Sequence, residues 1–259
     1  MTATSELVLR DTLRPGIARL TLNRPDKRNA LSVALMESAL KALDAIEAEA
    51  ANRILLLEGA GASFCAGLDL TEAAEPGKRH RSSELVSTLL QRIATSRLVT
   101  IAIVRGSALA GGAGLMSACD FALAEPAARI GYPEPRRGMV AALVMIFLRR
   151  QLAERDARKL LLTGEPIDGT EAERIRLVTA TAAANEMLPA ALKLAEQVLL
   201  GGPDSVVRTK RLFDALWPTP IEEDFERAYR VHLEVRQSPE LEEGAAAFRE
   251  KRPPKWASR

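Results

Sequence analysis

The chain has 259 residues, enough to bury a large core as one domain or as a domain with an appendage. Lys and Arg number 36 and Asp and Glu 34, so a formal net charge of +2 argues against a nucleic-acid-binding protein that depends on bulk positive charge. The two cysteines and two histidines form no metal-binding pattern, and His80 and His232 are expected to be solvated. No apolar run reaches the ~18 residues of a membrane span, so we expect a cytoplasmic, reduced, globular protein with no metal, nucleic-acid or membrane partner.

The first part of the chain alternates predicted strands and helices. "GIARLTLN" (16–23) has alternating apolar residues and predicts a strand, and Ser32 is the predicted N-cap of a helix that runs to about residue 51. "RILLLEG" (53–59) and "LVTIAIVRG" (98–106) are typical of parallel strands covered on both faces. A helix is expected near 83–96, and "CDFALAE" and "LVTATAA" are further predicted strands. This order predicts an α/β fold.

The last third of the chain is almost entirely helical in pattern, with breaks at "GGPD" (201–204) and "WPTP" (217–220). Pro203 and Asp204 are suited to begin a helix. "IEEDFERAYRVHLEVRQ" is amphipathic, with acidic residues early and basic residues late, which matches the helix dipole. We place a boundary near residue 200, with a core over 1–200 and a helical region over 201–259 that is expected to make oligomer contacts.

Two glycine-rich turns, "GASFCAGLDL" (61–70) and "GSALAGGAGL" (106–115), each follow a predicted strand and precede a helix. Side by side, they would each offer a backbone N–H to one oxygen atom. Such an oxyanion hole stabilises charge that develops on a carbonyl oxygen. For either turn alone, the alternative is that the glycines only permit a tight change of direction.

Together the turns resemble those of the enoyl-CoA hydratase/isomerase (crotonase) superfamily. The resemblance covers nearly the whole chain, in the family's order, through "LTLNRPDKRNAL", "FCAGLDL", "GSALAGGAGLMSACDFALA", "RIGYPEPRRGMV", "LLTGEPIDGTEAERIRLV" and "AFREKRPPKW". It implies a crotonase-like spiral of repeated ββα units and an acyl-CoA thioester as substrate. It also implies no cofactor other than the CoA of the substrate, and a homotrimer or a dimer of trimers.

The resemblance assigns a role to individual residues. The oxyanion donors are the backbone N–H groups of Leu68 and Gly111, and the catalytic carboxylate is Glu134. Lys27 and Arg28 are candidates for the CoA phosphates, and Lys251 for the CoA of its own or a neighbouring subunit; each is otherwise a solvated charge. The remaining residues implied to line the CoA or substrate site are Ala66, Gly67, Asp69, Leu70, Ala110 and Gly114.

The chain departs from the family's hydratases at Gly114, where they carry the first of two catalytic glutamates. One carboxylate suffices to move a double bond, because it takes a proton beside the thioester and returns it further along, whereas hydration is easier with two. We therefore favour isomerisation, with hydration of a branched or carboxylated enoyl-CoA as the alternative. A thioester hydrolase, a dehalogenase-type enzyme and a non-catalytic CoA-binding protein are also considered. The absence of Asp from residues 135–150 argues against the dehalogenase.

The segment after Glu134 departs from the family as well. "RRGMVAALVMIFLRR" replaces a glycine-rich run and predicts a helix whose apolar face lines the acyl site. Arg136 and Arg137 either pair with a carboxylated acyl tail or contact subunit acids and solvent. Arg176, where the family usually has glycine, is expected to affect only a turn. Cys119 is expected to be buried and Asp120 to point away from the substrate.

Overall fold

The protein, described here by a computed structural model over residues 6–217 and 219–257, contains a six-stranded sheet and a two-stranded sheet. The strands are β1 (Val8–Arg14), β2 (Ile17–Leu22), β3 (Ile54–Gly59), β4 (Val99–Val104), β5 (Ser107–Leu109), β6 (Phe121–Ala124), β7 (Arg129–Gly131) and β8 (Ala180–Thr181). The large sheet has the order β1-β2-β3-β4-β6-β8, in which β1 and β2 are antiparallel and the other neighbours parallel. β5 and β7 pair in parallel as the small sheet.

Helices occupy most of the remaining chain. They are α1 (Val33–Ala48), α2 (Leu70–Ala74), α3 (Pro76–Ala94), α4 (Gly111–Ala118), α5 (Ala142–Gln151), α6 (Glu154–Thr163), α7 (Gly169–Arg174), α8 (Met187–Leu199), α9 (Pro203–Ala215), α10 (Ile221–Val235) and α11 (Pro239–Glu250). Short 3₁₀ helices cover Pro25–Lys27, Glu134–Arg137 and Lys255–Ala257. Over the described ranges, none of these helices has the length and hydropathy needed to cross a bilayer.

The sheet is buried on both faces, as its unbroken apolar strands predict. Successive side chains of a strand point to opposite faces. In β3, Leu55 and Leu57 therefore enter the core beneath α1, α3 and α4, whereas Ile54 and Leu56 pack on the other side against α8. The predicted helix cap is also confirmed, since Ser32 Oγ accepts a hydrogen bond from the N–H of Leu35, the third residue of α1. The α/β prediction is confirmed.

Several elements differ from the sequence prediction. β1 was not expected, because it is an edge strand whose mostly exposed residues carry no apolar alternation. α3 begins at Pro76 instead of near residue 83, since its first turns, "PGKRHR", are polar and lack the apolar spacing of a buried helix. β5 and β7 are only three residues long and are held by neighbouring turns. Arg176 has a φ of 64° and, as expected, lies in a turn.

The helices after residue 200 contact the core closely. α10 packs on α3 and α5, and α11 packs on the 3₁₀ helix Glu134–Arg137. The backbones of α11 and the segment after this 3₁₀ helix nearly touch: a Cβ at Gly244 would lie 2.2 Å from the Arg137 carbonyl oxygen, and one at Gly138 would lie 2.1 Å from that of Glu240. α10 thus contributes His232 and Val235 to the lining of the cavity described below, while the division at residue 200 and the oligomer contacts stay predictions.

Candidate active site

The two glycine turns lie against each other beyond the ends of β3 and β4. The Cys65 N–H donates to the Ser107 carbonyl oxygen, and the Leu109 N–H donates to that of Cys65, each at 3.0 Å. A Cβ at Gly112 would lie 2.2 Å from the Cys65 carbonyl oxygen, and one at Gly67, whose φ is +88°, would lie 2.8 Å from that of Leu109. The predicted juxtaposition of the turns is confirmed, and it depends on glycine because any side chain here would meet backbone.

The backbone N–H groups of Leu68 and Gly111 are unused donors at this junction. Both residues line one cavity. Within the described chain, neither N–H has a hydrogen-bond acceptor. Gly111 is also the first residue of α4, where N–H groups lack intrahelical partners and the helix dipole is positive. The pair can therefore stabilise negative charge on a single oxygen.

Glu134 lines the same cavity and is the carboxyl group suited to proton transfer. It is the first residue of its 3₁₀ helix, and its side chain is 7% exposed. Burial raises the pKa of Glu134 to about 7, against the opposing effects of its own N–H and of the Arg137 charge. Its Oε2 atom is buried and finds no hydrogen-bond partner among the described residues. A carboxyl group that titrates near neutrality with a free oxygen can both take and return a proton.

Apolar side chains fill the place of the family's first glutamate. A Cβ at Gly114 would lie 2.6 Å from Val144 Cγ1 and 3.3 Å from Leu90 Cδ2. Both side chains line the cavity, and so do Ala142 and Leu143 at the start of α5. The predicted helix is present as α5, and its first residues line this cavity, while its role at an acyl site stays a prediction. These side chains offer packing surface where the resemblance implies the first glutamate of a hydratase.

The segments implied to bind CoA lie beside the first glycine turn. The Ala66 N–H donates to the Arg28 carbonyl oxygen at 3.0 Å, which ties the exposed turn containing Lys27 and Arg28 to this segment. Leu70 and Ala110 line the cavity. Lys251, at the end of α11 with a φ of 53°, is exposed and lies outside that lining.

The carboxylate of Asp69 accepts hydrogen bonds from other residues of the protein. It accepts a hydrogen bond from Arg24 Nη1 at 2.7 Å and caps α2 through the Thr71 N–H. Burial raises the pKa of Asp69, but the hydrogen bond from Arg24 and those from the backbone outweigh it, so the net pKa is lowered. The side chain therefore holds the turn in place.

His232 corrects the prediction that both histidines are solvated. His80 is exposed, but His232 lies on α10 and lines the cavity, with a buried Nε2 that has no partner within the described chain. Burial, followed by the charge of Arg236, lowers the pKa of His232 to about 4. Its spacing from Phe225 and Tyr229 on one face of the amphipathic helix was the signal that sequence reasoning missed.

The two neighbouring arginines after Glu134 have different surroundings. Arg136 is exposed, and its Nε donates to the Thr163 carbonyl oxygen at 2.7 Å. Arg137 lines the cavity, as does Arg236, which was not predicted from the sequence. Of these two arginines, only Arg137 is therefore placed to pair with a carboxylated acyl tail.

Two other titratable groups near the second turn are occupied elsewhere. Burial raises the pKa of the Cys119 thiol to about 12, which leaves it protonated. Asp120 accepts hydrogen bonds from the Thr100 N–H at 2.8 Å and from Lys210 Nζ at 2.7 Å. The expected burial of Cys119 is confirmed, and Asp120 is not among the residues that line the cavity with Glu134.

Known proteins are similar to this chain in sequence and fold. The sequence profile of the Enoyl-CoA hydratase/isomerase family matches residues 12–259. A Thermus thermophilus protein named as a candidate enoyl-CoA hydratase is 41% identical over 247 residues, which cover 93% of this chain and 97% of that protein. The enoyl-CoA hydratase EchA19 of Mycobacterium tuberculosis is 32% identical, covering 93% of this chain and 92% of that protein.

A solved structure supports the same assignment. The crystal structure of an enoyl-CoA hydratase from Mycobacterium avium superposes with a TM-score of 0.86 at 34% identity. The match covers 99% of this chain and 100% of that chain. The predicted crotonase fold is confirmed by this similarity. The chain therefore belongs to the enoyl-CoA hydratase/isomerase family.

Proposed function

We propose that this protein binds an enoyl-CoA with its thioester oxygen between the N–H groups of Leu68 and Gly111, and that Glu134 is its single acid–base side chain. The observation that carries the proposal is a buried carboxyl group in the same cavity as two unused backbone donors. Val144 and Leu90 crowd Gly114, where a second carboxylate would otherwise stand. This arrangement favours double-bond isomerisation.

Isomerisation needs only one group that shuttles a proton. Ionised Glu134 takes a proton from C2 of a 3-enoyl thioester, and the electron pair of that C–H bond forms a dienolate. Its negative charge rests on the thioester oxygen, where the two N–H groups stabilise it. Protonated Glu134 then gives the proton to C4, which leaves the double bond between C2 and C3. A pKa of about 7 makes both forms of Glu134 available near neutral pH.

Hydration of a 2-enoyl-CoA is a second candidate, because both relatives and the solved structure described above carry hydratase names. In that reaction Glu134 would take a proton from water while the water oxygen adds to C3. Glu134 would then deliver a proton to C2. The same oxyanion donors would stabilise the enolate. The two reactions therefore share every residue proposed here.

The CoA part of the substrate is proposed to run along residues 66–70, with Gly67 and Asp69 shaping that turn. Lys27 and Arg28 lie beside it and are proposed to contact the phosphates. Lys251 is proposed to reach CoA in its own or a neighbouring subunit of a trimer or a dimer of trimers. Exposed apolar side chains on α9 and at its C-cap give another copy a surface to cover: Leu212, Phe213 and Leu216.

A pair of substrates separates the candidates. A conjugated 2-enoyl thioester absorbs in the ultraviolet, so isomerisation of a 3-enoyl-CoA raises this absorbance and hydration of a 2-enoyl-CoA lowers it. We expect the rise in absorbance with a 3-enoyl-CoA to be faster than the fall with a 2-enoyl-CoA. The rise should be lost in Glu134→Gln. Its pH profile should climb through about pH 7, because the base must be ionised. A panel of enoyl-CoAs that all stay unchanged while CoA still binds would leave only a binding protein.

A further inference from the structure

His232 brings a polar side chain into the lining of the active-site cavity, and the proposed proton transfer does not use it. Burial, followed by the charge of Arg236, lowers the pKa of His232 to about 4, so the imidazole is neutral at neutral pH. A neutral imidazole has one N–H donor and one nitrogen acceptor. The cavity therefore contains a hydrogen-bonding group without charge.

The ring of His232 is held in place by its own helix. His232 lies in the last turn of α10, which packs on α3 and α5. Its ring stacks on that of Tyr229, three residues earlier, with ring centroids 6.4 Å apart and an angle of 17° between the planes. Val235, three residues later, lines the same cavity. The imidazole is thus a fixed part of the cavity wall.

The Nε2 atom of His232 is buried and has no hydrogen-bond partner within the described chain. A buried polar atom without a partner costs free energy, so polar atoms in folded proteins nearly always have one. Apolar side chains make up most of the cavity lining, among them Leu90, Leu143 and Val144. A group that occupies the cavity can supply the missing hydrogen bond.

The charges around the cavity do not require that this group be an anion. Arg137 and ionised Glu134 each shift the pKa of the other residue towards its charged form. Arg236 also lines the cavity, but it already has interactions within the protein. The groove that both arginines share also contains the carboxylates Glu75 and Glu242. Because negative charge is already present beside these arginines, a neutral occupant suits the cavity.

We propose that His232 binds a hydroxyl group on the acyl chain, so that hydroxylated acyl-CoA thioesters are preferred over unsubstituted ones. A hydroxyl group both donates and accepts, so it matches Nε2 in either tautomer of the imidazole. If it displaces a water molecule from Nε2, it replaces the hydrogen bond of that water, whereas a methyl group does not. An unsubstituted acyl chain would leave the nitrogen unpaired and therefore bind more weakly.

This inference rests on the proposed function, because it assumes that the acyl group occupies the cavity with Glu134. Binding of saturated thioesters tests it without requiring turnover. One pair is 4-hydroxybutyryl-CoA and pentanoyl-CoA, and a second is 5-hydroxypentanoyl-CoA and hexanoyl-CoA. Within each pair, a terminal hydroxyl group replaces a methyl group. In at least one pair, we expect calorimetry to show that the wild type binds the hydroxylated member roughly 3- to 10-fold more tightly.

His232→Phe should lower that preference roughly 10-fold, because it removes the ring nitrogens and retains an aromatic ring beside Tyr229. Its affinity for hexanoyl-CoA should stay within about threefold of the wild type. His80→Phe is the matched control, since it makes the same change at an exposed histidine on α3 and should keep the preference. His232→Gln, whose neutral amide can still hydrogen-bond, should keep part of the preference and serves if the Phe variant does not fold.

The outcomes separate this inference from the proposed function. If the wild type and His232→Phe show the same affinity ratio within each pair, the hydroxyl site is overturned and the proposed function stands. An equal loss of affinity for both members of a pair also overturns it and assigns His232 to packing. Tighter binding of glutaryl-CoA than of 5-hydroxypentanoyl-CoA overturns it in favour of a carboxylated acyl chain that pairs with Arg137. If the wild type binds none of these thioesters and no free CoA, the proposed function fails as well.

Discussion

One wall of the cavity contributes backbone atoms to the site, and the other contributes side chains. The wall of glycine turns contributes main-chain N–H groups, and its geometry depends on backbones in contact at Gly67 and Gly112. The facing wall contributes side chains: Glu134 and Arg137 from a 3₁₀ helix, and His232 from α10. The proposed recognition of the thioester oxygen therefore depends on the path of the chain. The proposed proton transfer depends on a side chain, so a single substitution can alter it without moving the backbone.

The largest effect is expected from removing the carboxyl group of the side-chain wall. Glu134→Gln retains the size of the side chain but cannot accept a proton, so turnover should fall roughly 10²- to 10⁴-fold. The affinity for a saturated acyl-CoA should stay nearly constant, because the backbone wall is untouched. Steady-state kinetics together with calorimetry check both parts. Near wild-type turnover by this variant would mean that another group, or water, carries the proton.

The same substitution should stabilise the protein at alkaline pH. The pKa of Glu134 rises from its usual 4.5 to about 7, so the folded protein holds this proton more tightly than the unfolded chain. Ionisation then destabilises the fold, with no penalty below about pH 4.5 and the full penalty, about 3 kcal/mol, above about pH 7. Urea unfolding should show that Glu134→Gln raises the free energy of unfolding by this amount at about pH 8 and by little at about pH 5. An equal increase at both pH values would mean that packing, and not ionisation, causes it.

The backbone wall should respond to a single methyl group. Gly112→Ala would place a Cβ 2.2 Å from the Cys65 carbonyl oxygen, so we expect a loss of roughly 1–3 kcal/mol in the free energy of unfolding. The adjacent Gly111→Ala is the control for stability, because its Cβ would meet nothing nearer than Leu31 Cδ1 at 3.4 Å. Equal denaturation midpoints for the two variants would show that the turns can separate without cost.

The smallest effect concerns the link between the walls. Tyr132, two residues before Glu134, is fully buried, and its Oη lies 2.7 Å from Ser117 Oγ on α4. Tyr132→Phe removes this hydrogen bond and should lower the free energy of unfolding by about 1 kcal/mol. Because apolar packing also joins the walls, kcat should change little. A large loss of turnover with unchanged stability would instead show that this hydrogen bond positions Glu134.

The parts predicted best from the sequence are those that a short segment specifies alone. An unbroken apolar run between polar turns indicated the buried strand β3, and the spacing after Ser32 indicated α1. Glycines at a strand-to-helix turn indicated the oxyanion segments, because only a residue without a Cβ allows such close backbone approach. The sequence also showed that position 114 carries glycine and therefore no carboxylate. It did not show that Val144 packs at this position, because the two residues meet only across the packed helices.

Tertiary structure decided the properties that arise between distant segments. The sequence placed Arg136 and Arg137 together, but the packing of α11 and the tight 3₁₀ turn send only Arg137 into the cavity. The sequence indicated no role for His232, whereas the packing of α10 on α3 and α5 partly buries this residue in the lining of the cavity. The raised pKa of Glu134 arises from the same enclosure. Local sequence therefore determined the proposed backbone donors and the identity of the proposed base. Burial by remote helices determined the proton affinity of that base and its charged neighbours, since desolvation depends on everything packed around a group.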